Sequence, residues 1–186
     1  MTLWIFLGII AIVVIWAIVK YNSFIKFRNR RENAFADIDV QLKQRHDLIP
    51  QLVATVKGYA SHEKDTLDSI VSARSGAINA RSIDDKIAAE NELSSALAGL
   101  KITVEAYPDL KANTNFMQLQ GEISDIENKL AAVRRFFNSA TKELNTAIEM
   151  FPANIIAGMF GFRKEMMFDL GSTERKNLEQ TPTISF

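Results

Sequence analysis

The chain has 186 residues with 22 basic and 22 acidic side chains, so its formal net charge at pH 7 is zero. This balance gives no global positive field, and we therefore predict no nucleic-acid partner. The chain has no cysteine, which excludes disulfides, thiolate metal sites, thiol nucleophiles and the lipid-modified cysteine of a lipoprotein. Its eight glycines and four prolines are few for this length, which favours long uninterrupted helices.

The first predicted element is a membrane-spanning helix at residues 1–19. From Leu3 to Val19 the side chains are uncharged and largely apolar. A helix of this length spans roughly 26 Å, just enough for a hydrocarbon core of about 30 Å. Tryptophans near both ends suit the two membrane–water interfaces. The residues assigned to this anchor are Leu3, Trp4, Ile9, Ile12, Ile15, Trp16 and Val19.

A basic cluster follows the apolar run and predicts the orientation of the chain. Its members, which we assign to topology and to lipid headgroups, are Lys20, Lys26, Arg28, Arg30 and Arg31. Under the positive-inside rule this side is cytoplasmic and the N-terminus is outside, which predicts a single-pass protein of the bacterial inner (plasma) membrane. The alternative is a cleaved signal peptide, which needs basic residues before the apolar run and a small-x-small cleavage site. No Lys or Arg precedes Lys20, so we favour a retained anchor.

The apolar spacing predicts that the anchor continues without a linker into a long helix that ends near Gly58. Pro50 lies inside this helix, where its missing N–H and its ring predict a kink around residues 44–46 at a cost of about 3 kcal/mol. Ser61 is the predicted N-cap of the next helix. The apolar positions that carry the pattern are Phe24, Phe27, Phe35, Ile38, Leu42, Ile49, Leu52, Val56 and Tyr59.

A second helical stretch is predicted from His62 onward, with a break near Ser82. Ser82 followed by Asp85 resembles a capping box, so a new helix is expected to begin there. The stretch ends at Tyr107, because the residue before a proline is biased away from helix. The predicted buried face after the break consists of Ile83, Ile87, Leu93, Leu97, Leu100 and Val104.

The last long helix carries a heptad seam, whose apolar positions alternate spacings of three and four over about five heptads. Such a narrow stripe suits packing against one or two long partners. The seam residues are Phe116, Leu119, Ile123, Ile126, Leu130, Val133, Phe137, Ala140, Leu144, Ala147 and Phe151.

The three predicted rods have similar lengths of roughly 60 Å, which favours antiparallel packing side by side. We therefore predict an all-α fold, in which a single N-terminal transmembrane helix continues into an antiparallel bundle of three to four long helices. The predicted domains are the anchor at 1–19, the cytoplasmic bundle at 20–152, and an apolar C-terminal segment and tail at 153–186.

Two blocks of sequence resemble the LemA family. The first comprises Tyr21-Asn22, Arg28-Asn29, Asn33-Ala34, Asp39–Lys43, Arg45–Pro50 and Val56–Ala60. The second comprises Ala106–Asn113, Glu127–Lys129, Arg134–Asn138 and Phe151–Asn154, and the likeness extends to Pro182–Phe186. The resemblance implies an N-terminal membrane anchor and an antiparallel bundle of long helices. It brings no established biochemical activity and no catalytic residues, although a magnetosome member of the family points to membrane shaping.

The sequence lacks the common motifs for catalysis and metal binding. Its only histidines are His46 and His62, and neither belongs to the His-x-x-x-His or Glu-x-x-His patterns that zinc proteases and di-metal bundles need. Both are expected to make helix-surface or cap hydrogen bonds. There is also no Gly-x-Ser-x-Gly elbow and no phosphate loop. We predict that the protein is not an enzyme and has no catalytic residues, no metal and no cofactor.

Several arginines interrupt or flank the apolar stripes, namely Arg31, Arg45, Arg74, Arg134 and Arg135. The preferred interpretation is that they fix helix register or pack at an edge with their stems over apolar surface. A ligand pocket, or an anionic partner for the adjacent last two, is the alternative. Their candidate partners are Asp37, Asp39, Asp47 and Glu127.

The segment from Ala153 to Leu170 is rich in large apolar residues but too short and too charged to span a bilayer. If it lies at the end of the bundle far from the membrane, it is a free patch for copies or partners; otherwise it folds back as a cap. The residues of this candidate oligomer or partner surface are Ile155, Met159, Phe160, Phe162, Met166, Met167 and Phe168.

Two functions follow from these features. The first is a scaffold that forms a homo-oligomer at the cytoplasmic face, contacts membrane lipids, and organises or remodels the membrane. The second is a monomeric adaptor that presents the bundle to another membrane protein, such as a protease or transport system. Particle size in gentle detergent or native nanodiscs discriminates between them.

Overall fold

The computed structural model describes residues 1–168, in which all regular structure is helical. This part of the chain contains six helices: α1 (Thr2–Tyr59), α2 (Lys64–Asn79), α3 (Ile83–Val104), α4 (Pro108–Lys111), α5 (Thr114–Glu149) and α6 (Ala153–Met159). The predicted all-α fold with a long N-terminal helix is confirmed. Leu170 and the rest of the predicted tail, including the LemA-like Pro182–Phe186, lie outside the described residues.

Helix α1 continues from the apolar run through the basic cluster and past Pro50 to Tyr59, so the predicted continuation without a linker is confirmed. Among the described helices it alone is long and apolar enough to cross a membrane, with a mean hydropathy of 2.8 over 18 residues and none of that window buried. Length and composition are the grounds for this assignment. Of the predicted anchor residues, Trp16 is half-buried and the exposed ones are Leu3, Trp4, Ile9, Ile12, Ile15 and Val19.

The described residues form two compact units. Unit 1 consists of Met1–Ala36 and Phe136–Met167, and unit 2 consists of Asp37–Arg135 together with Phe168. The first part of α1, the last part of α5 and all of α6 therefore belong to unit 1. The remaining parts of α1 and α5 belong to unit 2, with α2, α3 and α4.

In unit 2, α2 and α3 pack against each other and are joined by three residues, so they form an antiparallel hairpin. The prediction of one long second rod is therefore wrong, because the break near Ser82 reverses the chain. With 16 and 22 residues, α2 and α3 are about 24 and 33 Å long. The core that they share with α1, α4 and α5 consists of Ile49, Leu52, Val56, Ala60, Leu67, Ile70, Ala73, Ala77, Leu93, Leu100, Val104, Leu110, Phe116 and Leu119.

In unit 1, Phe24 is the centre of a small core where α5 ends and α6 follows. Its ring lies 5.0 Å from the ring of Phe162, and the ring of Tyr21 lies 4.7 Å from that of Phe160. Aromatic pairs at these separations stabilise the packing beyond the burial of their area. The other buried residues of this core are Leu144, Ile148, Ala153, Ile156 and Ala157. The C-terminal segment thus packs on α1 directly after its apolar run.

The predicted heptad seam of α5 is confirmed as far as Leu144, since all its positions up to there are buried or half-buried. At its end the prediction is wrong: Ile148 is buried where Ala147 is only half-buried, and Phe151 is 79% exposed beyond the helix. A straight helix has 3.6 residues per turn, so its buried stripe drifts by roughly 20° per heptad from a strict seven-residue repeat. Over about five heptads the drift amounts to one residue.

Ser82 caps α3 as predicted, because its Oγ accepts a hydrogen bond from the N–H of Asp85 at 3.0 Å. Ser61 does not cap α2, which begins after Glu63, a residue whose side chain makes no cap hydrogen bond. Ser82→Ala is therefore expected to lower the free energy of unfolding by about 1 kcal/mol, whereas Ser61→Ala leaves it unchanged. Thermal unfolding of the full chain in detergent micelles compares the two, and equal losses would contradict this assignment.

Candidate functional site

A buried polar cluster in unit 2 connects α1, α3 and α5. It centres on Arg45, whose side chain is 0% exposed. One terminal nitrogen, Nη1, donates to the Oγ of Ser94 at 3.1 Å and to Oε1 of Glu127 at 2.5 Å. The other, Nη2, donates to Oε2 of Glu90. Glu127 was one of four candidate acidic partners for the arginines, and the structure pairs it with Arg45. A single guanidinium thus holds three helices in register.

Glu90 is the most buried acidic member of this cluster, and the sequence analysis did not include it among the candidate partners. Its side chain is 1% exposed, and its second oxygen lies 2.7 Å from Nε2 of His46. Burial by itself raises the pKa of Glu90, but the hydrogen bond to His46 and the charge of Arg45 outweigh it and hold the pKa below its usual value. A signal was present, since Glu90 follows Ile87 by three residues and shares its apolar face.

Pro50 explains a second polar contact in the same region. Because proline has no N–H, the carbonyl of His46, four residues earlier, loses its intrahelical hydrogen bond. Arg74 of α2 donates its Nε–H to this carbonyl at 2.8 Å, so α2 provides the donor that α1 lacks. The predicted surface or cap role of His46 is wrong, because this residue is buried and its side chain contacts Glu90.

This arrangement predicts that the effects of Arg74 and Pro50 substitutions depend on each other. Arg74→Met is expected to cost about 1–3 kcal/mol of unfolding free energy, because it leaves a buried carbonyl without a donor. In a Pro50→Ala background the restored N–H at position 50 can bond the same carbonyl, so the loss should shrink by about 1 kcal/mol. A double-mutant cycle by thermal unfolding measures this coupling, and strictly additive effects would contradict the explanation.

The chemistry of the cluster suits a structural role. Glu90 and Glu127 direct oxygens at Arg45, and Glu90 also contacts His46. A polar network of this kind between helices fixes their register. Within the described residues, no group of three or more His, Cys, Asp or Glu side chains is arranged to hold a metal ion. Of the other acidic partners proposed for the arginines, Asp39 pairs with Lys86 instead, at 2.6 Å.

A groove of about 380 Å³ opens beside this cluster in unit 2. Its charged lining includes Glu127, Lys101 and Lys111, and the Nζ of Lys111 forms an ion pair with Glu105 at 2.6 Å. A concave apolar surface with a few charged groups is typical of a binding site. Its apolar lining consists of Leu52, Leu97, Ala98, Leu100, Val104, Phe116 and Ile123.

The five basic residues after the apolar run lie in different surroundings in unit 1. Lys26, Arg28 and Arg30 are exposed, and Lys20 is half-buried. Arg31 is 4% exposed, which corrects its assignment to lipid headgroups. The sequence could not separate these residues, because the burial of an arginine depends on the segment that packs over it.

Arg31 holds the end of the C-terminal segment. Its guanidinium lies 3.1 Å from the carboxylate of Glu165, donates to the backbone carbonyl of Met166 at 3.2 Å, and lies 5.0 Å from the ring centre of Phe137. Asn145 adds two hydrogen bonds to the backbone of Glu165, at 2.9 and 3.0 Å. These contacts attach the segment after α6 to α1 and α5.

The predicted C-terminal surface is only partly available. Phe168 is 3% exposed, with the guanidinium of Arg134 5.0 Å from its ring centre, and Phe162 is half-buried. The side chains of Met166 and Met167, which precede Phe168, are exposed. We call the exposed apolar part of α6 and its last turn the α6 surface, which consists of Ile155, Met159 and Phe160.

The α6 surface lies next to the end of the apolar run. Trp16, Ala17 and Phe27 of α1 pack on the same small core as α6, and Tyr21 contacts Phe160. The prediction of a free patch required a position far from the membrane, and the structure instead places this segment beside the end of the candidate membrane span. Its residues therefore lie at the level where a bilayer containing the apolar run would end.

This chain is similar to proteins of one family. The sequence profile of the LemA family matches residues 34–186. The chain is 27% identical to Protein LemA of Metamycoplasma hominis over 164 residues, which cover 86% of this chain and 74% of that protein. It is 22% identical to Magnetosome protein MamQ of Magnetospirillum gryphiswaldense over 194 residues, 90% of this chain and 70% of that protein. These names are not enzyme names.

Proposed function

The chain belongs to the LemA family, and from this premise we propose that it is a membrane-anchored, non-enzymatic helical scaffold that assembles with copies of itself and organises or remodels the membrane. The family and the apolar N-terminal helix fit a membrane protein. The α6 surface is the observation that carries the proposal, because large apolar side chains remain uncovered directly beside the apolar run. Met159, for example, is 74% exposed.

In this proposal the apolar run crosses the bacterial inner membrane, with the N-terminus outside and the helices after Val19 in the cytoplasm. The exposed basic residues that follow the run support this orientation. Because the chain has no cysteine, Ser61→Cys introduces a single thiol. A membrane-impermeant thiol reagent is expected to label this thiol only after the cells are lysed. Labelling in intact cells would reverse the orientation.

Anchoring favours assembly for a physical reason. Copies that share a membrane meet in two dimensions, where their effective concentration is high enough for weak contacts to act. The α6 surface provides such a contact, since exposed apolar patches commonly mark partner surfaces. A head-to-tail contact of this kind closes into a ring where its rotation allows. The relatives named as magnetosome proteins support an association with a membrane.

The experiment measures particle mass in native nanodiscs. The wild-type chain is expected to form a homo-oligomer, and changing Ile155, Met159 and Phe160 together to serine should release smaller species. Phe162 and Phe168 are left unchanged, because substituting these more buried side chains could unfold the protein, and unfolding would be mistaken for disassembly. A matched control changes Val40, Ile102 and Met117 to serine, since these side chains are exposed and apolar in unit 2. A monomeric wild type, or equal effects of the two variants, would contradict the proposal.

The groove in unit 2 favours a second function, an adaptor for another membrane protein such as a protease or transport system. Its apolar lining and its charged residues Lys101 and Glu127 suit a partner segment that carries both apolar and charged side chains. This function predicts a monomer in nanodiscs. It also predicts that Leu97→Asp, in the groove wall, abolishes co-purification of the partner, whereas the serine variant of the α6 surface retains it.

A further inference from the structure

A second and larger groove lies in unit 1, between α1 and the end of α5. It measures about 710 Å³ and is lined on α1 by Trp16, Lys20 and Ser23. Its other wall includes Lys142, Ser139 and the exposed ring of Phe151. One groove thus combines two ammonium groups with hydroxyls and large aromatic rings.

The position of this groove along α1 matches the interface of a bilayer. Trp16 belongs to the apolar run, and Lys20 is the first charged residue after it. Four residues of helix correspond to about 6 Å along its axis. The interfacial layer on each side of a hydrocarbon core is also several ångströms thick, since about 40–45 Å in total encloses a core of about 30 Å. In a bilayer crossed by the apolar run, the groove would therefore reach from the edge of the hydrocarbon into the headgroup layer.

The charges in the groove favour an anion. Among the described residues, Lys20 and Lys142 have no carboxylate partner. Glu143 also lines the groove, but its carboxylate is engaged by Arg30 at 2.6 Å. The ammonium groups of Lys20 and Lys142 and the serine hydroxyls that line the same groove are donors that suit the oxygens of a phosphate group.

The remaining lining selects the source of this phosphate. Trp16, Phe27, Met150 and Phe151 form an apolar part of the groove, which a free phosphate ion leaves unoccupied. We propose that the groove binds one anionic glycerophospholipid, with its phosphate between Lys20 and Lys142 and its acyl chains along the aromatic side chains. This inference rests on the membrane-anchored part of the proposed function but not on self-assembly. It assigns to the chain a specific lipid site in addition to its general contact with the bilayer.

Tryptophan fluorescence tests the site in the full chain. The sequence has two tryptophans, so Trp4→Phe leaves Trp16 as the only reporter in the groove. The chain is placed in phosphatidylcholine nanodiscs that contain increasing fractions of phosphatidylglycerol brominated high on its acyl chains. Half of the quenching is expected at a mole fraction roughly fivefold or more below that needed for brominated phosphatidylcholine. Equal mole fractions for the two lipids would overturn the proposal.

Charge-matched variants separate the groove from general attraction to an anionic surface. Lys20→Gln with Lys142→Gln is expected to abolish the preference for phosphatidylglycerol. Arg163→Gln with Lys164→Gln removes the same charge from exposed positions of unit 1 that lie outside both the groove and the basic cluster, and should retain the preference. Equal losses in the two pairs would overturn the site. Circular dichroism of each variant verifies that the helices are intact, and assembly mass measured in parallel shows whether the scaffold proposal fails separately.

A last arm distinguishes the lipid from free phosphate. Millimolar inorganic phosphate is added to the phosphatidylglycerol titration and compared with sodium chloride at the same ionic strength. Both salts should weaken the preference equally, since screening acts alike at equal ionic strength. Complete loss of the preference in phosphate alone would identify a site for the free ion and would overturn the lipid assignment.

Discussion

Glu90→Met is expected to lower the free energy of unfolding by about 3–5 kcal/mol, because it leaves the buried guanidinium of Arg45 without its most buried counter-charge. His46 loses its side-chain partner in the same step. Glu92→Met on the exposed face of the same helix should change the free energy by less than about 0.5 kcal/mol. Urea and thermal unfolding of the full chain in detergent micelles measure both, and similar losses would contradict the role assigned to the cluster.

Acid provides an independent readout of the same cluster. A carboxylate whose pKa is lower in the folded state stabilises the protein at neutral pH, and this contribution disappears as the pH falls through the folded-state pKa. The other charged or titratable groups of the cluster are Arg45, His46 and Glu127. Because the pKa of Glu90 is lowered in the folded state, its contribution to stability is lost below the ordinary value of 4.5. The Glu90→Met variant should lack this part of the pH dependence of the unfolding free energy. An unchanged acid dependence of stability would show that Glu90 is not ionised in the cluster.

Leu130→Asp is the substitution with the second large expected effect. Leu130 is 0% exposed on the seam of α5, and an unpaired carboxylate there should cost several kcal/mol by desolvation. Lys129→Asp introduces the same carboxylate on an exposed position one residue earlier and should cost little. Thermal unfolding of both variants in micelles gives the comparison. Equal stabilities would mean that this face of α5 is not the buried one.

Local patterns in the sequence predicted the helices well. The spacing of apolar residues predicted the continuous α1 and most of the α5 seam, and Ser82 predicted the start of α3. The failures are of two kinds. At Ile148 a strict heptad was extended past the length over which it matches a straight helix. At Ser82 the break was recognised, but whether a break continues or reverses a rod is decided by packing against distant residues.

The candidate sites show the same division. Arg45 was among the arginines expected to fix register and Glu127 among their candidate partners, and Glu90 could have been added to those partners from its place on the apolar face of α3. The burial of Arg31 and Phe168 could not be predicted, since each is covered by a segment far away in the sequence. The groove at Lys20 and Lys142 was equally inaccessible, because these lysines are brought together only when the end of α5 packs on α1.

The buried cluster of unit 2 and the α6 surface of unit 1 have separate roles in the proposed scaffold. Register fixed by Arg45 and Glu90 keeps the helices of unit 2 in a single arrangement, as polar residues do at the seams of coiled coils. Unit 1 carries the exposed apolar side chains, together with the groove proposed for lipid.

The central claim is that copies meet through the α6 surface, and photo-cross-linking in native membranes tests it most directly. A photoreactive amino acid replaces Met159 in one variant and Ile102, which is exposed in unit 2, in a control. Irradiation of the Met159 variant is expected to give products at multiples of the 20.9 kDa chain mass, in which mass spectrometry finds this chain alone, and the Ile102 variant should give few. Products that contain only a different protein, or no products of multiple mass from the Met159 variant, would contradict the account.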